Sequence, residues 1–258
     1  MSFDADLTAC AVLVERADPW RFRAVMAAPV AARKLLFPLY AFNVEVARAP
    51  WVTQEPMIAE MRLQWWRDVC EQIAEGQAVR RHEVATPLAG VLTAKTALIL
   101  DELVAARRWD IYKDAFEDTA HFARYIDQTA GHLAWVAACT LGQADEQTLR
   151  DAAFATGIAA WLRAIPELEA RGRIPLLDGT NEGVVRLAKD ALTRLAQARC
   201  NRSKISAAAR PALLHVGPAK TILAAAVQDP AAVIEGRLPD PVEGDRFGLA
   251  YRAVTGRW

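Results

Sequence analysis

An all-α fold is what this sequence predicts, and three observations predict it. Apolar residues recur at spacings of three or four in nearly every patterned stretch, the period of an amphipathic helix. No Asn-Gly or Asp-Gly dipeptide separates alternating runs, so the strand and hairpin signal is weak. Alanine, the strongest helix former, is abundant throughout.

The elements follow in order. A first helix is expected from about Asp4 to Arg16, stopping before Asp18-Pro19. A second begins at Pro29, a favoured first helical position, and runs to the residue before Pro50. Leu35, Leu36, Leu39, Tyr40, Phe42 and Val46 leave it few polar positions, which makes it central. A third starts near Pro56, with Ile58, Met61, Trp65, Val69 and Ile73 on one stripe and Gly76 as its stop. Thr86-Pro87 opens a stretch reaching about Trp109. Helix then covers Glu117 to Leu141, ended by Gly142; Asp145 caps the next, which reaches Arg171 with Pro166 as an expected kink. Further helices span about 181–200 and 206–228, and the Pro- and Gly-rich tail from Pro230 is expected to be loosely ordered. No repeat, low-complexity linker or domain boundary interrupts the chain, so it reads as a single domain of about nine or ten helices.

The 258 residues suffice for a buried core, and 53% hydrophobic with 24% charged residues excludes disorder. Thirty-one basic and 31 acidic residues cancel, which argues against nucleic acid as a partner. Cys10, Cys70, Cys139 and Cys200 are scattered without CxxC or ligand spacing and read as reduced thiols, not disulfides or a zinc site. MSFDADLTAC lacks the basic and apolar regions of a signal peptide, and no run approaches the roughly 18–20 apolar residues of a membrane span. The expectation is a soluble, cytoplasmic protein that could still touch a bilayer surface.

Nucleophile motifs, a P-loop and GxGxxG are absent. His132, in AGHLAWVAA, reads as a satisfied histidine rather than a ligand. Trp65, Trp66, Trp135 and Trp161 sit at helical spacing and read as core, although bundle interiors also hold apolar ligands. Arg163, Arg171 and Arg173 could hold a phosphate, but Glu167 and Glu169 make internal ion pairing the simpler account. One stretch raises a sharper question. LYAFNVEVARAPW (Leu39–Trp51) places Asn43, Glu45 and Arg48 in an otherwise apolar helix.

Four stretches in order answer it. LLFPLYAFNVEVARAPW, EMRLQWWRDVCEQI, YIDQTAGHLAWVAACTLG and GIAAWLRAIPELEARGRIPLL together resemble the squalene/phytoene synthase family over about residues 8–230. That resemblance implies a single-domain isoprenoid-synthase-type helical bundle around a central apolar cavity. It also implies enzymes that join two prenyl diphosphates with Mg²⁺, held by Asp pairs at i and i+4 on two helices. That spacing stacks two carboxylates on one helix face, and Mg²⁺ demands such oxygen donors.

In this sequence the matching positions are Ala47 and Trp51 on the first helix and Ala164 and Leu168 on the second. Arg48 stands beside the first, where it would repel a divalent cation, and Ala160 replaces the usual Asn. Arg163, Glu167, Arg173 and the pair Trp109-Asp110 match other family positions. Glu45, costly to bury alone, is expected to pair with Arg48 or Arg163. AFNVEVA and LRAxP further resemble the branch that includes the mitochondrial complex I assembly factor with a phytoene-synthase-like domain, whose members lack the metal ligands too.

Two functions of different class follow. In the first, the chain is a non-catalytic assembly or maintenance factor for respiratory complex I, without cofactor, binding a respiratory-complex subunit or an apolar lipid or isoprenoid, and sitting peripheral to the inner membrane. Its degenerate positions are Ala47, Trp51, Ala164 and Leu168; its cavity candidates are Asn43, Glu45, Arg48, Asp110, Trp161, Arg163, Glu167 and Arg173. In the second, it is a prenyltransferase with a rearranged site, in which Asp110, Glu45, Glu167 and Asp127 bind Mg²⁺. A carrier of an apolar lipid is a variant of the first.

Overall fold

Helical periodicity carries through into fourteen α-helical segments among the described residues, 5–244 and 246–258 of a computed structural model. They are α1 (Ala5–Ala17), α2 (Pro19–Ala27), α3 (Val30–Arg48), α4 (Pro56–Ala74), α5 (Ala85–Ala89), α6 (Ala94–Ala106) and α7 (Thr119–Ile126). Then follow α8 (His132–Leu141), α9 (Glu146–Ala170), α10 (Asn181–Cys200), α11 (Ala219–Gln228), α12 (Ala231–Ile234), α13 (Pro241–Gly244) and α14 (Arg246–Thr255). No strand occurs among these residues. The expected start of the first helix at Asp4 lies outside them.

Local chemistry explains where most helices begin. Asp18 turns its carboxylate back onto the Arg21 amide at 2.9 Å, and Pro19 fills the first turn of α2. That Asp-Pro pair, read from the sequence as a stop, is also a start, and α2 was not expected. Thr93 and Thr96 form a reciprocal capping box at α6. The stretch expected as one helix from Thr86 to Trp109 is therefore split: α5 ends at Gly90, α6 restarts after Thr93, and 3₁₀ turns cover Arg107–Asp110. Asp118 caps α7, and Asp145 caps α9 by accepting the Thr148 amide at 3.0 Å, as expected. Between α7 and α8 the chain widens into one π-helical turn, Asp127–Gly131. The helix expected over about 206–228 is instead a 3₁₀ run, Arg210–Val216, followed by α11. Gly76, left-handed at φ +71°, ends α4 as the sequence indicates.

Helices α3 and α9 form the centre. Leu36, Phe37, Leu39 and Phe42 of α3 and Ile158, Leu162 and Ile165 of α9 are fully enclosed. α1 and α2 pack on α3; α4 packs on α6; α10 and α11 pack on α9. Gly157 lets α9 approach the π turn, since a Cβ there would sit 2.9 Å from that of Ala130. The tail after Pro230, expected to be loosely ordered, instead folds as short helices, with α14 docked on α2 and the Arg210–Val216 run through Leu249 and Trp258. Pro230 precedes α12 and Pro241 opens α13, where they cost no hydrogen bond, and Pro239 lies in the connection between them. Cys10 and Cys70 are buried, Cys139 and Cys200 exposed, and none bridges another.

Phe42 meets Trp66 edge-on at 5.2 Å across α3 and α4. Phe42→Ala should lower unfolding free energy by about 3–5 kcal/mol in chemical denaturation, from lost transfer energy plus an unfilled cavity.

Candidate functional site

The bundle encloses a cavity of about 840 Å³ whose walls come from α1, α2, α3, α7, α8 and α9. Tyr40, Asn43, Val44, Ala47, Arg48 and Trp51 of α3 and the turn after it line one part. Thr156, Gly157, Ala160, Trp161, Ala164, Glu167 and Leu168 of α9 line another. Spacings of three and four along each helix put these residues on one face. All four of Ala47, Trp51, Ala164 and Leu168 therefore look into the same space. Among the described residues, no group of three or more His, Cys, Asp or Glu side chains could hold a metal ion.

Charges at the cavity are mostly neutralised next door. Arg48 pairs with Glu45 at 3.2 Å, one of the two partners expected, and Glu45 itself is not a cavity residue. Glu167 pairs with Arg171 at 2.5 Å rather than with Arg163, which reaches Asp240 at 3.3 Å. The three arginines expected as one cluster are thus dispersed. Asp110 is the most enclosed acid, 3% exposed. It accepts Tyr125 Oη at 2.7 Å and Arg107 Nη1 at 3.0 Å, and Arg107 also donates to Tyr125 Oη at 2.8 Å. Burial alone would depress the Arg107 guanidinium; Tyr125 and Asp110 outweigh that and hold it above its ordinary value. Burial likewise drives the Tyr125 phenol well up, so a neutral phenol stands between a cation and an anion. Asp127, a candidate metal ligand of the transferase reading, is held by Arg150 at 2.8 Å and does not line the cavity.

Arg173, expected as a cavity residue, does not line the space and sits instead behind Trp51. Its guanidinium donates to the carbonyls of Trp109 (3.2 Å), Asp110 and Tyr112, and lies 4.9 Å over Trp51 and 5.4 Å over Trp109. Behind it Trp109 stacks on Phe116 at 3.9 Å, and Phe122, Tyr125 and Trp161 complete an aromatic wall. Trp161 Nε1 donates to the Pro175 carbonyl at 3.0 Å.

At the other end, Arg21 bonds Asp18 at 2.8 Å and lies 4.9 Å over Tyr40, which faces His215. Asp18, Arg21 and His215 line both the main cavity and a side pocket of about 340 Å³, while Tyr40 lines the main cavity. Burial raises Tyr40 to about 12 against the opposing pull of Arg21. Burial, then Arg21, pushes His215 down to about 3. Arg21, Tyr40, Arg107, Tyr125 and His215 were not among the site residues the sequence suggested. Arg107 stands three residues from Asp110 and Arg21 three from Asp18, spacings that signal local ion pairs; Tyr40, Tyr125 and His215 join them only through the tertiary fold. His132, buried, contacts Glu102 at 2.9 Å and Arg150 at 3.3 Å, a satisfied histidine.

This architecture and cavity are those of a defined class. The chain belongs to the squalene/phytoene synthase family, whose model matches residues 14–176. The fold resembles a dehydrosqualene synthase crystallised with ligand (TM-score 0.75, 14% identity, covering 96% of this chain and 94% of that one). It also resembles squalene synthase HpnC from Alicyclobacillus acidocaldarius (TM-score 0.72, 18% identity, 91% and 95%). Among curated proteins, the chain is 32% identical over 178 residues to a Drosophila melanogaster NADH dehydrogenase (ubiquinone) complex I assembly factor 6 homolog, covering 65% of this chain and 53% of that one. The Homo sapiens complex I assembly factor 6 is 25% identical over 180 residues, covering 64% and 51%. The chain thus spans about half the length of the curated relatives it matches. No helix among the described residues is long and apolar enough to cross a membrane.

The buried imidazole sets a pH dependence. His215 is neutral when folded and takes up a proton on unfolding below its free value of 6.5, so stability is full above that pH and is lost as pH falls toward about 3. Its share approaches about 1.4 kcal/mol per pH unit in that window. His215→Gln should flatten the stability–pH curve there by that amount, measured by denaturation at several pH values.

Proposed function

We propose that this chain is a non-catalytic member of its family that serves the assembly or maintenance of respiratory complex I, acting through a partner subunit or an apolar lipid held in the cavity. The observation that carries this reading is the pair of helix faces at Ala47/Trp51 and Ala164/Leu168. Ionising an allylic diphosphate requires Mg²⁺ at the departing oxygens, and Mg²⁺ requires several oxygen donors in near-octahedral array. Methyl, isobutyl and indole groups offer none, so the residues present do not fit that ion. Electrostatic stabilisation is usually the largest catalytic contribution, and this site lacks its source. The relatives named as complex I assembly factors support the biological role.

The transferase reading would need Asp110, Glu45, Glu167 and Asp127 to converge on metal. Their lone pairs are engaged by Tyr125 and Arg107, by Arg48, by Arg171 and by Arg150. Releasing each would leave an arginine without its partner. What the family scaffold keeps is volume: a cavity of about 840 Å³ falls in the range of pockets for small apolar ligands.

Two measurements test the proposal together. Calorimetry with a thio-substituted farnesyl diphosphate should give no heat of binding that depends on millimolar Mg²⁺, whereas Mg²⁺-dependent binding or turnover of the natural diphosphate would overturn it. In the organism that carries this chain, deleting its gene should reduce NADH oxidation by membranes several-fold while succinate oxidation stays unchanged. Equal loss of both would remove the link to complex I.

A further inference from the structure

The chain is neutral as a whole, but its charges are segregated. From Ala191 to Gln228 there are six Lys or Arg and no acid; from Arg246 to Trp258 there are three Arg and again no acid. The fold brings these two stretches together. Arg199 Nε donates to the Trp258 carbonyl at 3.0 Å, the Arg210 side chain lies against Gly256, and Arg252 lies against Gly217. Arg199 and Arg252 are close enough that, after burial, the second depresses the first. Arg210 and Arg257 have no carboxylate partner among the described residues.

The helix at the centre of this face is two-sided. Leu249 and Ala253 of α14 pack inward. Phe247, Tyr251 and Val254, spaced i, i+4 and i+7, form a second apolar stripe that points into solvent, exposed by 93%, 54% and 88%. A helix apolar on two sides needs a second apolar medium, and a stripe bordered by unpaired guanidiniums needs that medium to be edged with anions. A protein core would bury the cations at a cost; an anionic lipid surface accepts both at once.

We infer that α14 with its bordering arginines is a membrane-docking surface, laying Phe247, Tyr251 and Val254 into the headgroup region of bilayers that carry anionic lipid. The surface lies outside the cavity walls and does not depend on what fills them.

Vesicle co-sedimentation of the full chain tests this, with phosphatidylcholine alone and with phosphatidylcholine mixed with phosphatidylglycerol. Binding to the mixed vesicles should exceed binding to the neutral ones by tenfold or more and should weaken as salt screens the arginines. Phe247→Asp with Val254→Asp should lower the partition coefficient at least tenfold. Arg257→Glu should lower it several-fold on mixed vesicles and leave neutral vesicles unaffected. The substituted side chains are exposed, so thermal unfolding should be unchanged, which separates lost docking from lost folding. Equal binding by the double-Asp variant, or no sedimentation of the native chain at low salt, would overturn the inference. So would a dimer in light scattering that the double-Asp variant abolishes while vesicle binding stays absent, because the stripe would then face a second copy.

Discussion

One buried guanidinium organises the end of the cavity where α3 and α9 both terminate. Arg173 satisfies three consecutive-turn carbonyls, at Trp109, Asp110 and Tyr112, and lies over the faces of two indoles. A carbonyl at the end of a helix or a 3₁₀ turn has no internal partner, and burying several of them without donors would be costly. A fork with five N–H groups meets that need where Lys, with a single ammonium head, would not. Burial depresses the Arg173 guanidinium, and the nearby Asp110 offsets part of that. The Arg107–Asp110–Tyr125 set and the Arg173 clamp are therefore one network: a cation on each side of an enclosed carboxylate, and a phenol that fills its remaining lone pair. Removing Asp110 would leave the Arg107 guanidinium without its carboxylate, and removing Arg107 would leave the buried Asp110 without its cation.

That network also explains what the cavity can hold. A site that assembles metal ions must keep its carboxylates unpaired until the cation arrives. Here the pairing is already complete, mostly by i, i+3 and i, i+4 contacts within a single helix: Glu45 with Arg48, Glu167 with Arg171, Asp18 with Arg21. Between these pairs the walls carry Val44, Ala47, Gly157, Ala160, Ala164 and Leu168 together with Tyr40, Asn43, Trp51, Thr156 and Trp161. The Arg107–Asp110–Tyr125 set thus lines the cavity already paired, beside the side chains of α3 and α9.

Much of this was legible in the sequence because it is written at helical period. The apolar run of α3, the Asp145 cap, the Gly76 and Gly142 stops and the Glu45–Arg48 pair are all local, and local spacing fixes them, whereas the stripe expected on α4 is displaced: Ile58 and Met61 are exposed, and Ala59, Leu63, Trp66, Val69 and Cys70 form the buried face. The positions Ala47, Trp51, Ala164 and Leu168 were reachable only through family resemblance, since nothing in an alanine announces a missing carboxylate. Three things escaped for physical reasons. Asp18-Pro19 ends one helix and begins another with the same two residues, so α2 was invisible to a rule that reads Pro as a stop. The prolines of the C-terminal segment lie outside its helix interiors, and α14 tolerates Gly248 within it, so composition misjudged it. Asp110 was picked out, but its partner Tyr125 lies fifteen residues on and past two turns, a distance only the tertiary fold closes.

The charge balance holds the same lesson in reverse. A net charge of zero excludes a nucleic-acid binder only if the charges are mixed, and here they are not: two acid-free stretches, far apart in sequence, are folded against each other around α14. Segregation of this kind sets like charges near one another: after burial, Arg252 depresses Arg199. A fold retains such a repulsion when something outside the chain relieves it. The exposed aromatic and aliphatic stripe between those arginines narrows what that something is, since a soluble anion would relieve the charge and leave Phe247 in water, while a bilayer surface relieves both.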